Sequence, residues 1–204
     1  MGDDIRNADG TTGEVESIET EKDSQEMYNL TVDVAHTYYV GDGQWLVHNA
    51  SCRFSTTDSI LSYFESNGIA RVSGVLPIPE QAAKSFLDMK YTSLVLEQPL
   101  DLFRVGTSGK PWGQYFSLEY PMSVLDARIN QAILPIWPDG GISPLDTVYA
   151  WNFPQNTNIH LGIIKPQTPS WFYQGMTPQI FIHEPWKIPG TTPGGSWPLP
   201  NIWR

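Results

Sequence analysis

Residues 27–50, MYNLTVDVAHTYYVGDGQWLVHNA, constrain this 204-residue chain more than any other stretch. Apolar residues alternate through LTVD, TYYV and WLVH, the period-two pattern of short strands, and the run stops at His48-Asn49. That pair has the chemistry of backbone scission. The Asn49 amide can attack its own carbonyl, forming a succinimide and freeing a chain that begins at Ala50. His48 can polarise the carbonyl or protonate the leaving amine. Charge divides the sequence at the same place. Residues 1–50 hold 11 Asp/Glu and 2 Lys/Arg, a net of −9. Residues 51–204 hold 11 Asp/Glu and 10 Lys/Arg, a net of −1, which completes the formal −10. Two pieces of unlike composition therefore meet near residue 50.

YNLTVD, His36 with TYYVG, and LVHN resemble the closing strands of the HINT (Hedgehog/intein-like) family. They are most similar to the pretoxin form that precedes the toxin modules of polymorphic bacterial toxins. The resemblance implies that residues 1–50 are the C-terminal remnant of an autoprocessing domain, with His36, His48 and Asn49 as its autoprocessing residues. The cysteine that begins such a domain is not in this sequence, which is expected to start part-way through it. Ala50, not a cysteine, follows Asn49, so simple scission is expected rather than splicing. Strands are expected at 13–19, 28–34, 37–40 and 45–47, a marginal sheet without further partners.

The remainder, 51–204, is long enough for one domain with a sizeable core. No apolar run reaches the length of a membrane span, and the polar opening GDDIRNADG is no signal peptide. Cys52 is the single cysteine, which excludes intrachain disulfides. A net charge of −1 without a basic cluster argues against nucleic-acid binding. The four histidines, His36, His48, His160 and His183, lack zinc spacing, and no metal site is expected. Neither a G-x-S-x-G elbow nor a Walker-type loop is present. A hydrolase built on Cys52 with His160 or His183 lacks any local signature.

The pattern from residue 51 onward reads as α+β: helices first, then a mixed and mainly antiparallel sheet. Thr57-Asp58 caps a helix carrying Ile60, Leu61 and Phe64 that Gly68 stops, and Pro79 opens a second over 81–89 with Ala82, Ala83, Phe86 and Leu87 on one face. Strands follow at 93–96, 102–105 and 114–117. A third helix after Pro121 carries Met122, Leu125, Ile129 and Ile133, and strands return at 147–151, 159–164 and 178–183. The tail, 184–204, holds five prolines and three tryptophans. It reads as an irregular extended arm lying on the surface.

One constellation carries chemistry. In LFRVGTSGKPWGQYFS, Arg104 ends a strand beside a glycine-rich turn, and an aromatic-hydroxyl strand follows. A guanidinium fork near Gly106, where backbone can approach closely, suits a diphosphate. Tyr115 or Phe116 can stack on a flat heterocycle, with Ser117 beside them. In WFYQGMTPQIFI, Gln174 lies in a loop and Gln179 begins an apolar strand, where an amide can orient a ribose hydroxyl or a water. An arginine in a strand is more often structural, and an aromatic strand is usually core.

The order of these segments resembles two families of NAD-consuming toxins. The first is the TNT-like NAD glycohydrolases. Phe103-Arg104-Val105-Gly106, Gly113-Gln114-Tyr115-Phe116-Ser117, Ala127-Arg128 with Ala132-Ile133-Leu134-Pro135, and Phe172-Tyr173-Gln174-Gly175 running to Pro178-Gln179 match its four segments. Gly175-Met176-Thr177 replaces the family's glycine run, and His160 is the one histidine between the third and fourth segments. The second is the ADP-ribosyltransferases, in which Arg104, Ser117 and Gln179 or Glu184 would fill the roles. Their Gln-x-Glu triplet is absent here, which favours water as acceptor.

The resemblance implies catalytic Arg104, Tyr115, Gln174 and Gln179, and NAD contacts from Arg104, Gly106, Phe116 and Ser117. It implies NAD as substrate with no prosthetic group. The expected protein is a toxin module secreted or delivered by its producer, acting in the target-cell cytoplasm and neutralised by a cognate immunity protein. A mono-ADP-ribosyltransferase is the first alternative. A non-catalytic binding module is the second, in which Arg104 is surface-exposed and apart from any cleft.

Overall fold

The computed structural model describes residues 4–6, 12–14, 37–40, 45–48, 56–170 and 172–200. The chain forms two units, Met1–Ser51 and Cys52–Arg204. In the first, β1 (Asp4–Arg6) pairs with β2 (Thr12–Glu14), and β3 (Thr37–Val40) with β4 (Trp45–His48), both antiparallel. The second register sets Thr37 opposite His48 and Val40 opposite Trp45, so the strands expected at 37–40 and 45–47 pair with each other. The expected strand over 28–34, with His36 and Asn49, lies outside the described residues.

The second unit is α+β, and its strand pairings are antiparallel. Helix α1 (Thr57–Ser66) begins one residue earlier than Thr57-Asp58 suggests. Thr56 is its cap, with Ser59 N donating to Thr56 Oγ1 at 3.1 Å, and Gly68 ends it at φ 59°. There follow β5 (Ala70–Gly74), α2 (Glu80–Ala83), β6 (Phe86–Leu96), β7 (Leu100–Gly106) and β8 (Tyr115–Phe116). After α3 (Val124–Asn130) come β9 (Thr147–Phe153), β10 (Asn158–Ile164), β11 (Pro178–Phe181), a 3-10 turn (Pro185–Lys187) and β12 (Thr192–Pro198). They build a five-stranded sheet, β5-β6-β10-β11-β8, and a three-stranded sheet, β12-β9-β7. A bridge between Phe103 and Ser117 joins β7 to β8. Phe103 N donates to Ser117 O at 2.9 Å and Ser117 N to Phe103 O at 2.8 Å. Among the described residues no helix is long and apolar enough to cross a membrane.

Register decides what each face of the five-stranded sheet carries, because side chains alternate along a strand and cross-strand partners share a face. Leu94, Ile159, Leu161, Ile180 and Phe116 take one face and join Leu102, Trp151, Phe153, Ile60 and Phe64 in the main core. Each large apolar side chain fully buried there contributes roughly 1.5–3 kcal/mol. Ser93, His160, Gln179, Phe181 and Tyr115 take the other face.

A strap, residues 75–85, crosses that second face. Ala82 packs on Phe86 and Phe181. Leu76 N donates to Ser93 Oγ and Leu76 O accepts from the Tyr91 hydroxyl, each at 2.9 Å. Farther along, Lys165 N donates to Ser85 O at 2.9 Å. The strap borders two clefts, Leu76 and Pro77 lining one and Gln81, Lys84 and Ser85 the other.

Four sequence expectations are corrected here. The helix over 81–89 is one turn, Glu80–Ala83, and Phe86 and Leu87 belong to β6. Phe86 is drawn into the sheet opposite Ile164, and Asp88 and Met89, at φ 53° and 55°, are left-handed and cannot continue a helix. The third helix stops at Asn130, short of Ile133, because Ala132 turns left-handed at φ 48°. β5 was not expected; it shows as Ala70 and Val72 alternating, five residues too short to stand out. The proline-rich tail is not irregular throughout: β12 pairs with β9 along 192–198. It is an edge strand, where proline's missing N–H has no ladder bond to lose.

Candidate active site

The cleft beside residues 81–85 of the strap encloses about 580 Å³. Arg104 reaches it from β7, Tyr115 from β8 and Gln179 from β11. Arg104 is half-buried, and its Nη1 donates to Lys110 O at 3.1 Å and Pro111 O at 3.5 Å. Gly106 and Gly113 make room for it: a Cβ on either residue would collide with the guanidinium. Burial pulls its pKa below the ordinary arginine value, and Tyr149 partly opposes that shift. The group stays charged all the same. Among the described residues no carboxylate forms an ion pair with it. A desolvated cation in that state is a favourable seat for an anion.

The loop from Thr107 to Gly113 is fastened from below. The Tyr149 hydroxyl donates to Thr107 O at 2.8 Å and Trp151 Nε1 to Pro111 O at 3.3 Å. Trp112 stacks on Trp151 with ring centroids 3.9 Å apart, and its other side is exposed at the cleft. The far wall rests on Arg128, 9% exposed, whose Nη1 donates to Ile133 O at 3.0 Å and Nη2 to Ser143 O at 2.5 Å. Between those carbonyls a short hairpin, closed by the Ile136–Ile142 bridge, carries exposed Trp137 and Ile142 to the rim.

The lining is chemically one-sided. Among the described residues it holds three cations, Lys84, Arg104 and Lys110, and four glutamines, Gln81, Gln131, Gln167 and Gln179, but no carboxylate and no imidazole. The sequence shows no basic cluster; folding assembles one from residues 20 and 6 positions from Arg104. Lys110 and Trp112 lie inside the segment already singled out and were legible there as polar and aromatic neighbours of the glycines. Lys84 gave no local signal.

Of the expected residues, Arg104, Gly106, Tyr115 and Gln179 meet in this cleft. Three do not. Phe116, expected to stack on a heterocycle, is 3% exposed and packs edge-on against Phe153 at 5.0 Å, because pairing with Ile180 turns it to the core. Ser117 serves the β7–β8 junction, its hydroxyl donating to Glu119 O at 2.8 Å. Gln174 is exposed and outside the cleft lining.

The second cleft, about 640 Å³, is bordered by His160, His183, Glu184 and Lys187. Ser93 Oγ accepts from Leu76 N and shares a hydrogen bond of 2.9 Å with His160 Nδ1. Burial, reinforced by His183, lowers the His160 pKa to about 4. Glu184, left-handed at φ 44°, pairs with Lys187 at 2.7 Å and His183 at 3.7 Å. Its pKa is lowered chiefly by the Lys187 hydrogen bond. Among the described residues no group of His, Cys, Asp and Glu gathers closely enough to hold a metal ion.

No family model matches the chain, and no curated protein does. Two solved structures overlap it. The structure of Tne2 in complex with Tni2 is 17% identical over 55% of this chain and 94% of that one, with a TM-score of 0.45. The structure of Tse6 in complex with Tsi6 is 17% identical over 68% of this chain and 90% of that one, with a TM-score of 0.37. At such values neither overlap assigns a function, and the residues of the cleft must carry it.

Proposed function

We propose that the second unit is a toxin module that hydrolyses NAD to nicotinamide and ADP-ribose in the Arg104 cleft. The observation that carries this reading is convergence: Arg104, Tyr115 and Gln179, from three separate strands, line one cationic hollow free of carboxylates. Arg104 and Lys110 suit a diphosphate. The exposed side of Trp112 suits a planar base. In the reaction the bond from ribose C1′ to the pyridinium nitrogen breaks, and its electron pair stays on nitrogen. Water oxygen then bonds to C1′ and gives its proton to solvent. The leaving group departs neutral and needs no general acid, so a site without carboxylate or imidazole is adequate. Positioning and electrostatics do the work, with Gln179 orienting the water or a ribose hydroxyl.

A half-buried Arg104 inside a cleft speaks against the non-catalytic alternative. Glu184, the carboxylate a transferase would use, borders the other cleft, and this favours water as acceptor. The test is the purified chain with NAD labelled on its adenylate half, reading free nicotinamide and macromolecular label together. Hydrolysis gives the first without the second; label on an acceptor would establish transfer instead.

The producing cell then needs an immunity protein. The exposed Trp137 and Ile142 at the rim, with exposed Ile136 on the same hairpin, are the surface such a partner would cover. For the first unit we retain the autoprocessing reading, supported by the β3–β4 hairpin that ends at His48. A protein carrying a complete autoprocessing domain ahead of this second unit is expected to cut itself between Asn49 and Ala50. Intact mass should show a fragment starting at Ala50, and Asn49→Ala should abolish it.

A further inference from the structure

We infer that the Arg104 cleft selects a nicotinamide dinucleotide phosphorylated on its adenosine ribose over the unphosphorylated one, with Lys84 making the distinction. The inference rests on the dinucleotide reading above and names the substrate more closely. In doubly wound dinucleotide folds a carboxylate accepts from an unphosphorylated 2′-hydroxyl and a cation accommodates a 2′-phosphate; the attraction of a cation for a phosphate is the part that carries over to this different fold. Among the described residues this lining has cations and no carboxylate.

Charge balance points the same way. The diphosphate carries two negative charges and the pyridinium one positive, leaving about one negative charge for Arg104 and Lys110, while Lys84 is held by Glu80. A phosphate monoester adds roughly 1.5–2 further negative charges near neutral pH, enough to compete with Glu80 for the Lys84 ammonium. Placement separates the roles. Arg104 and Lys110 belong to one wall, β7 and the loop that follows it, and suit the diphosphate. Lys84 comes from the strap, a different wall, with Gln81 one helical turn before it. Its ammonium pairs with Glu80 at 2.7 Å, both side chains more than half exposed. A pair so exposed to water is weak, and a doubly charged phosphate displaces it.

The test measures kcat/KM for nicotinamide release from NADP and from NAD, using the full chain, then repeats both for Lys84→Ala, Lys84→Glu and Glu80→Gln. The wild type is expected to favour NADP by roughly tenfold, the size of one added charged contact. Lys84→Ala should bring the ratio near one and Lys84→Glu should invert it. Glu80→Gln frees the ammonium and should raise the ratio. Lys187→Ala, in the other cleft, should leave the ratio as it is. Equal or better use of NAD by the wild type overturns the inference while the hydrolase reading stands. A preference that survives both Lys84 substitutions overturns the role of Lys84. Failure to cleave either dinucleotide overturns the hydrolase reading, and this inference with it.

Discussion

The two clefts of the second unit share one sheet face and differ little in size, about 580 and 640 Å³, yet they carry opposite chemistry. The Arg104 cleft has lysine, arginine, glutamine and tryptophan. The His160 cleft has two imidazoles and a carboxylate already engaged by Lys187. A search for acid–base groups alone would choose the second. Expelling a pyridinium leaving group needs neither acid nor base, so the first is the better reactor for that substrate. The strap contributes to both, Leu76 and Pro77 to the His160 cleft and Gln81, Lys84 and Ser85 to the Arg104 cleft.

The largest expected effect breaks or secures the comparison outright. Arg104→Ala removes the half-buried cation, and charged hydrogen bonds contribute roughly 1.5–3 kcal/mol each, so nicotinamide release should fall by one to several orders of magnitude. Arg104→Lys should recover little, since a point charge reproduces neither the fork nor its bonds to the Lys110 and Pro111 carbonyls. Gly113→Ala should resemble it, because the new Cβ occupies the guanidinium's place. A melting temperature near wild type, with the activity lost, locates the fault in the cleft. Full activity in Arg104→Ala would make this arginine a fastener of its loop and nothing more.

Next in size is the choice between glutamines. Gln179→Ala should lower kcat on the order of 10²-fold, the cost of misplacing a reacting group, while Gln174→Ala, outside the lining, should change kcat little. The reverse order would show that the 165–177 loop closes onto the cleft during turnover and brings Gln174 in.

How much of this was legible follows from the range of each interaction. Strand periodicity is local, so β7, β9 and β10 were readable within two residues at either end, and the α1 cap within one. The β6 start failed because Ala82, Ala83, Phe86 and Leu87 also fit a helical stripe; only pairing of Phe86 with Ile164, 78 residues away, decides the matter. Tyr115 and Phe116 are adjacent and chemically alike, and register against β11, not composition, sends one outward and the other to the core. Arg104 was readable from its glycine neighbours. The cationic character of its cleft was not, since Lys84 arrives by way of the strap.

A third measurement concerns the fold and uses the His160 cleft. His160 is 4% exposed, and its pKa is lowered from 6.5 to about 4 by burial and by His183. The native chain therefore keeps the ring neutral where the unfolded chain protonates it. Stability is fully present above pH 6.5 and is lost as pH falls from 6.5 toward 4, with no further change above that window. The loss should be on the order of 3 kcal/mol, seen as a lower denaturant midpoint at pH 4.5 than at 7.5. His160→Gln should flatten that difference. An equal pH dependence in both proteins would assign it to other groups.

The smallest expected effect is also the most discriminating. Glu184→Gln and His183→Ala alter the acid–base cluster without touching the Arg104 cleft, so nicotinamide release should stay within about twofold of wild type, as for surface substitutions away from a site. Glu184 has its partners in Lys187 and His183, both at the surface of the same cleft. Removing its charge frees those two and should cost little stability, because exposed ion pairs are weak. A transferase needs the opposite outcome. Its late carboxylate activates the acceptor and steadies the developing ribosyl cation, so Glu184→Gln would abolish label transfer and sharply reduce nicotinamide release. A large loss in Glu184→Gln, with Gln179→Ala nearly silent, would exchange the roles of the two clefts and replace water by a macromolecular acceptor.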